Sequence, residues 1–339
     1  MKSKIPYQFA LLILVLLLCF GINISLGSVE IPFLTTLGEL LGFGSADESQ
    51  QYIIREYRLP KAFTAILVGA GLSLSGLLMQ TLFRNPLAGP FVLGISSGAS
   101  LGAALLIMGG GLFSAGVVLI NDLALTLASS LGSILVLLTV VAVARRVKDT
   151  MALLIIGLMF ASITAAVVTV LSYFAKAEEL QQYIFWTFGT VGNLSGSQVL
   201  VLGVICLLGL LFSISSIKSL NALLLGENYA RSLGVRIGRS RNLIIIATGL
   251  LAGSVTAFAG PIAFIGLAVP HLTRQLFNTT DHRILVPGVL LYGAILLLLC
   301  DTMAQLPSSS YVLPINAITS IVGAPVVIWL LLRKRNMIF

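Results

Sequence analysis

Charge is what this chain has least of. Only 9% of its 339 residues are Asp, Glu, Lys or Arg, while 58% are hydrophobic and the mean hydropathy is +1.06. A soluble domain carries roughly 25% charged residues, so soluble classes are excluded and a polytopic membrane protein is implied. Cysteine is equally scarce. Cys19, Cys206 and Cys300 sit singly inside apolar runs. They have no metal-ligand spacing and make no disulfide framework, so they read as small apolar packing residues. The two histidines, His271 and His282, have no carboxylate or cysteine cluster beside them to complete a metal site. His271 is expected to be a hydrogen-bonded helix-end residue. No resident metal or cofactor is expected. G-x-x-x-x-G-K-[ST] does not occur, so the chain has no P-loop for ATP. Period-two alternation is missing too, which argues against a transmembrane barrel.

Long apolar runs are what is present. A bilayer core of about 30 Å takes about 20 apolar residues per helix, and backbone groups in lipid must be satisfied within helices. Runs and punctuation predict ten spans, roughly 9–27, 62–83, 91–109, 117–144, 151–174, 198–217, 241–259, 262–276, 284–304 and 313–332. The whole chain, 1–339, is then one transmembrane domain. Its first apolar run follows Lys2 and Lys4 in the manner of a signal peptide, but it is long and lacks an A-x-A site. It is read as a retained first span.

Orientation follows from the loop cations. With the N-terminus in the cytoplasm, only Arg55, Arg58, Lys61 and Lys176 fall outside, and 16 of the 20 basic residues fall inside. Nine of the 12 acids fall outside. Sorting the charges this way keeps both termini cytoplasmic. It also spreads the net charge of +8 along the cytoplasmic loops, which argues against a nucleic-acid surface.

Gly69, Gly71 and Gly76 in the second span, and Gly249 and Gly253 in the seventh, predict close helix packing. GAGLSLSG and TGLLAGSVTAFAG share a small-residue texture on spans of opposite direction, the trace an inverted repeat would leave. Gly94-Ile95-Ser96-Ser97-Gly98 matches a nucleophile-elbow pattern but opens an apolar helix where no sheet exists. It is read as packing and capping. Strong charge is nearly absent within the spans. Asp301, near the outer end of the ninth, is read as structural. So few mid-membrane ionisable groups argue against an ion-driven carrier.

Two polar stretches stand out. REYRLPK sets Arg55, Arg58 and Lys61 just ahead of the second span, a cationic edge able to meet carboxylates of a docking protein. LNALLLGENYARSLGV, at 220–235, reads as two short helical pieces with a turn on the cytoplasmic side. It suits either a helix lying on the membrane or a peg for a cytoplasmic partner.

The chain resembles the permease subunits of bacterial iron-siderophore, heme and cobalamin ABC importers. The matching blocks are RLPK at 58–61, GAGLSLSGLLMQ at 69–80, NPLAGPFVLGISSGAS at 85–100, WTFGT at 186–190, LNALLLGENYARSLGV at 220–235, AGPIAFIGLAVPHLTR at 259–274 and GAPVVIWLLL at 323–332. The resemblance implies the all-α type II importer permease fold, with about ten transmembrane helices in the bacterial cytoplasmic membrane. It implies a permease rather than an enzyme. The partners would be a second permease subunit, a cytoplasmic ABC ATPase dimer, an extracytoplasmic binding protein and membrane lipid. The segment 220–235 would be the coupling helix, carried over through Gly226, Glu227, Ala230, Arg231, Leu233 and Gly234. The basic residues at Arg58 and Lys61, with Arg55 beside them, would meet acids of the binding protein.

One block departs from the family pattern. DTMAQLPSSSYVLPIN keeps Asp301, but Gln305 stands where the family has an Arg, Val312 where it has a Glu, and Asn316 where it has a Gly. A docking cation is therefore missing, and a heterodimer with a paralogous permease would supply it. The expected cargo is a ferric siderophore, with heme or cobalamin as the alternative and a secondary carrier without ATPase as the less favoured class.

Overall fold

The computed structural model describes residues 4–27, 29, 31–43, 47–109, 121–147, 149–305 and 311–332. The expected cytoplasmic residues Lys2, Lys148, Arg333, Lys334 and Arg335, the external Glu30, and the start of the fourth span lie outside them. In chain order the α-helices are α1 (Ile5–Ser25), α2 (Phe33–Leu41), α3 (Glu48–Tyr52), α4 (Leu59–Leu82), α5 (Ile95–Met108), α6 (Asp122–Arg146), α7 (Thr150–Phe174) and α8 (Ala177–Thr187). Then follow α9 (Gly196–Ser215), α10 (Ile217–Leu224), α11 (Glu227–Ser232), α12 (Ile237–Thr248), α13 (Ser254–Ala259), α14 (Ile265–Phe277), α15 (His282–Ala304) and α16 (Ile315–Leu332). π-helical turns at Ile53–Arg58 and Gly249–Gly253 fuse α3 to α4 and α12 to α13.

Among the described residues, seven helical stretches are long and apolar enough to cross a membrane, and α5 and α16 add shorter apolar ones. α14 falls where the eighth expected span lies. The bounds differ instructively from those expected. The second span belongs to a continuous helix from Glu48 to Leu82, starting well before the expected 62. The third and eighth shrink to α5, with 14 residues, and α14, with 13. At 1.5 Å per residue each reaches only about 20 Å. The irregular chain ahead of them is shielded by protein, as non-helical backbone at that depth must be. Ala88, Gly89, Pro90, Leu93 and Gly94 are buried, and so are Gly260 and Ile262.

Burial divides the helices. In Glu48–Leu82, Ile237–Ala259 and His282–Ala304, 78%, 67% and 61% of the apolar window is covered by protein, against 33% or less in the other four long stretches. The glycine-rich spans are therefore the centre, and α1, α6, α7 and α9 present apolar surface outward. α4 packs along α15, with α14 on α4 and α1 on α15, while α5 lies between α6 and α7. A Cβ on Gly69 would collide with the Gly293 carbonyl, so α4 and α15 approach backbone to backbone.

Local sequence sets the helix starts. The side chains of Asn121, Asp149, Ser195 and Asp281 accept from the first-turn N–H groups of α6, α7, α9 and α15. Gly94 takes a left-handed conformation before α5. Ser96 Oγ lies 3.0 Å from Thr256 Oγ1 in a buried contact that joins α5 to α13. His271 Nε2 lies 2.8 Å from the Pro86 carbonyl and ties α14 to the irregular chain before α5.

Two cations that the charge sorting assigns to the cytoplasmic side turn out to be covered by protein. Arg241 and Arg274 are both buried within helices. Arg241 donates to the Ala144 carbonyl at the end of α6. Arg274 Nη1 donates to Gln80 Oε1 at 2.7 Å, and Gln80 Nε2 donates to the Leu267 carbonyl at 3.1 Å.

Candidate functional site

The sequence-derived site residues gather at two opposite ends of the bundle. α4 alone, 24 residues long, sets the ends about 36 Å apart, with Lys61 in its first turn and Arg84 just past its last.

At the Glu227 end, the segment 220–235 folds as expected into two short helices. α10 buries Leu220, Ala222 and Leu223. Gly226, at φ +100°, makes the elbow. A residue with a Cβ is strained there, which explains the glycine. α11 then runs to Ser232, and Gly234, at φ +82°, turns the chain toward α12. Ala230 is fully buried and its carbonyl accepts from Val235 N–H at 3.0 Å. It is thus a packing position holding α11 to the body, and the sequence alone did not separate that role from partner contact. The exposed side carries Leu225, Tyr229 and Leu233, each more than half exposed, together with Asn228 and Arg231. Glu227 Oε2 pairs with Arg231 Nη2 at 3.3 Å, and Glu227 Oε1 accepts from Thr150 Oγ1 at 2.6 Å. Beside α11 opens a groove of about 1070 Å³, lined by Phe83, Arg84, Asp149, Thr150, Glu227 and Tyr229 among others. Thr150 and Arg84 were missed from the sequence. Thr150 is 77 positions from Glu227, and its only local signal is Asp149, the cap of α7.

At the Lys61 end lies a cleft of about 460 Å³, bordered by Tyr57, Arg58, Lys61, Asn193, Asp301 and Gln305. Its cations are not free. Arg58 is 8% exposed. Its Nη1 donates to the Ile24 and Ser25 carbonyls, both at 2.8 Å, and its Nη2 donates to the Val29 carbonyl. Arg58 therefore caps the C-terminal end of α1, where carbonyls lack helical partners and a cation suits the helix dipole. The guanidinium of Arg58 is thus engaged within the chain while the residue still borders the cleft. Lys61 Nζ lies 3.2 Å from Asp301 Oδ1, with the carboxylate side chain 3% exposed and the lysine 19%. Asn23 Nδ2 and Gln305 Nε2 each donate to Asp301 Oδ2 at 2.8 Å. Gln305 is buried and serves Asp301. Arg55, outside the cleft lining, is well exposed, at 63%, and its Nη2 pairs with Glu39 Oε1 at 2.6 Å.

One end thus offers a short helix with apolar tips beside a groove. The other offers a polar cleft with a compensated charge at its floor. The FecCD transport family profile matches residues 13–333. The vitamin B12 import system permease proteins BtuC of Salmonella typhi and of Salmonella newport are each 41% identical to the chain over 289 residues, 84% of this chain and 85% of theirs. A solved structure described as a metal-chelate type ABC transporter, in an inward-facing conformation, superposes with a TM-score of 0.82 at 30% identity, covering 97% of this chain and 99% of that one. The PsaBC structure from Streptococcus pneumoniae, at 16% identity and a TM-score of 0.53 over 80% of this chain and 89% of that one, shares the fold.

Proposed function

The chain belongs to the FecCD transport family, and we propose that it carries a bulky metal chelate inward through a path shared with a second permease subunit. It is an ABC importer permease, a transport component and not an enzyme, spanning the membrane many times. In the proposed assembly the Glu227 end faces the cytoplasm and receives an ABC ATPase dimer. The Lys61 end faces outward and receives a binding protein loaded with cargo.

The observation that carries this reading is α11. A six-residue helix whose inner Ala230 is fully buried presents Tyr229, with Leu225 and Leu233 flanking it, to the surroundings. Exposed apolar tips on a short, braced element suit insertion into a partner's groove. ATP binding would draw the ATPase subunits together, α11 would move with them, and the spans would rock so that the path opens to one side. Nucleotide shifts that equilibrium only by its differential affinity for the two states.

At the outer end, Arg55 and Lys61 are the cations a binding protein meets, while Arg58 holds the frame. A docking carboxylate at Lys61 competes with Asp301. Gln305 adds no charge of its own there, which favours a paralogous second permease with further cations. Two cargo readings remain. Family membership favours a ferric siderophore, and the 41% identity to vitamin B12 permeases favours cobalamin. The test is uptake into vesicles holding the co-purified complex, with radioiron-loaded hydroxamate siderophore and labelled cyanocobalamin in parallel. ATP-dependent uptake of one identifies the cargo. Uptake that persists without ATP or an ATPase would support the carrier class instead.

A further inference from the structure

At the Glu227 end, behind the groove and away from the exposed side of α11, lies a buried polar cluster that the site described above does not use. Asn221, on α10, donates through Nδ2 to Asp281 Oδ1 at 2.7 Å. That bond fixes the amide, so its Oδ1 faces the start of α15. There it accepts from His282 N–H at 2.9 Å and lies 2.7 Å from His282 Nδ1. The Nδ1 therefore carries a proton and donates. The other ring nitrogen, Nε2, lies 2.9 Å from Thr81 Oγ1 in the last turn of α4. His282 and Thr81 are both fully buried.

We propose that Asn221 is a positioning residue that links the α10–α11 segment to the α4–α15 pair, so that movement of α11 reaches the spans through the His282 imidazole. The inference rests on the reading of α11 as the ATPase contact. Three features support it. Asn221 is five positions before the Gly226 elbow and shares α10 with Leu220 and Leu223, which are buried. Its oxygen holds two donors of one residue, so α15 cannot shift relative to α10 without stranding both. The same ring packs against α4 at Thr81, whose single hydroxyl proton is shared between His282 Nε2 and the Leu77 carbonyl, each 2.9 Å away, and α4 meets α15 at Gly69 and Gly293. A displacement of α10 is thereby delivered to two helices that are in backbone contact, rather than lost in side-chain rearrangement.

The test uses the purified complex of this chain with its co-purifying ATPase, in nanodiscs, with ATP as the only ligand. A fluorophore on Met303→Cys, an exposed position near the far end of α15, reports movement of that helix. Asn221→Ala is expected to leave basal ATP hydrolysis within about twofold and to shrink the ATP-induced fluorescence change at least about fivefold, the scale set by losing a buried hydrogen-bonded acceptor. The exchange Asn221→Asp with Asp281→Asn keeps the acceptor for His282, reverses the donor between 221 and 281, and leaves an Asn to cap α15. It is expected to restore the response, which a merely stabilising role would not require. The proposal is overturned if Asn221→Ala keeps the full response, if the exchange variant melts like wild type yet stays unresponsive, or if wild type shows no response. Failure to recover any ATPase is a separate result, and it would remove the reading on which the link depends.

Discussion

Lys61 and Asp301, 240 positions apart in sequence, form an ion pair of 3.2 Å at the floor of the Lys61-end cleft, joining the first turn of α4 to the last turn of α15. Asn23 and Gln305 complete the shell of the carboxylate. Removing the lysine strands a buried charge. Lys61→Met is expected to destabilise the protein by about 2–4 kcal/mol, and Lys61→Met with Asp301→Asn to recover most of that. Thermal unfolding of the two single variants and the double variant in detergent checks the coupling. Additive losses would contradict it.

Arg58 and Arg55 are expected to behave oppositely, though they lie three residues apart. Arg58→Lys cannot reproduce the guanidinium fork that serves three carbonyls, so it should lower the melting temperature and the amount of protein in the membrane. Arg55→Gln removes an exposed charge but keeps a donor for the buried Glu39 carboxylate, so it should lower the melting temperature less than Arg58→Lys does and still weaken stimulation of ATP hydrolysis by the binding protein. A stable Arg58→Lys protein that fails only in stimulation would return Arg58 to the docking surface.

Gln305→Arg would set a second cation against Asp301. The lysine would then share its carboxylate and present more of its charge to the cleft. Binding-protein association, measured on immobilised complexes, should tighten and become more salt-dependent. Unchanged affinity and salt slope would argue that this face does not dock.

α11 separates packing from contact. Tyr229→Ala and Leu233→Ala should each weaken association with the ATPase at least about tenfold while the protein stays folded. Glu227→Lys should abolish uptake, since it loses Thr150 and opposes Arg231. Ala230→Trp should instead destabilise the fold, because the site is closed. Normal uptake with Trp at 230 would contradict the packing assigned to α11.

Much of this architecture is legible in the sequence because lipid forces it. The runs that became α1, α7 and α9 are apolar along their length, and Gly226 and Gly234 announce the turns around α11. What could not be read depends on contacts between distant positions. REYRLPK looks like an exposed basic edge because nothing nearby says that Arg58 reaches carbonyls 29 to 34 positions away. Asn221 and His282 are 61 apart, and each looks like an ordinary loop or helix-end polar residue. α5 and α14 start later than the expected 91 and 262 because apolar composition continues through residues 91–94 and 262–264. There a 3-10 turn over Pro90–Leu93 with left-handed Gly94, and Phe264 at positive φ, delay the α-helix while protein covers much of the backbone.

The most direct measurement is photocrosslinking in native membranes from a photoreactive residue at position 229, with position 55 as the comparison and crosslinked proteins identified by mass spectrometry. The account predicts an ABC ATPase subunit at 229 and an extracytoplasmic binding protein at 55. An ATPase captured at 55, or no ATPase at 229 in membranes that still import cargo, would contradict it.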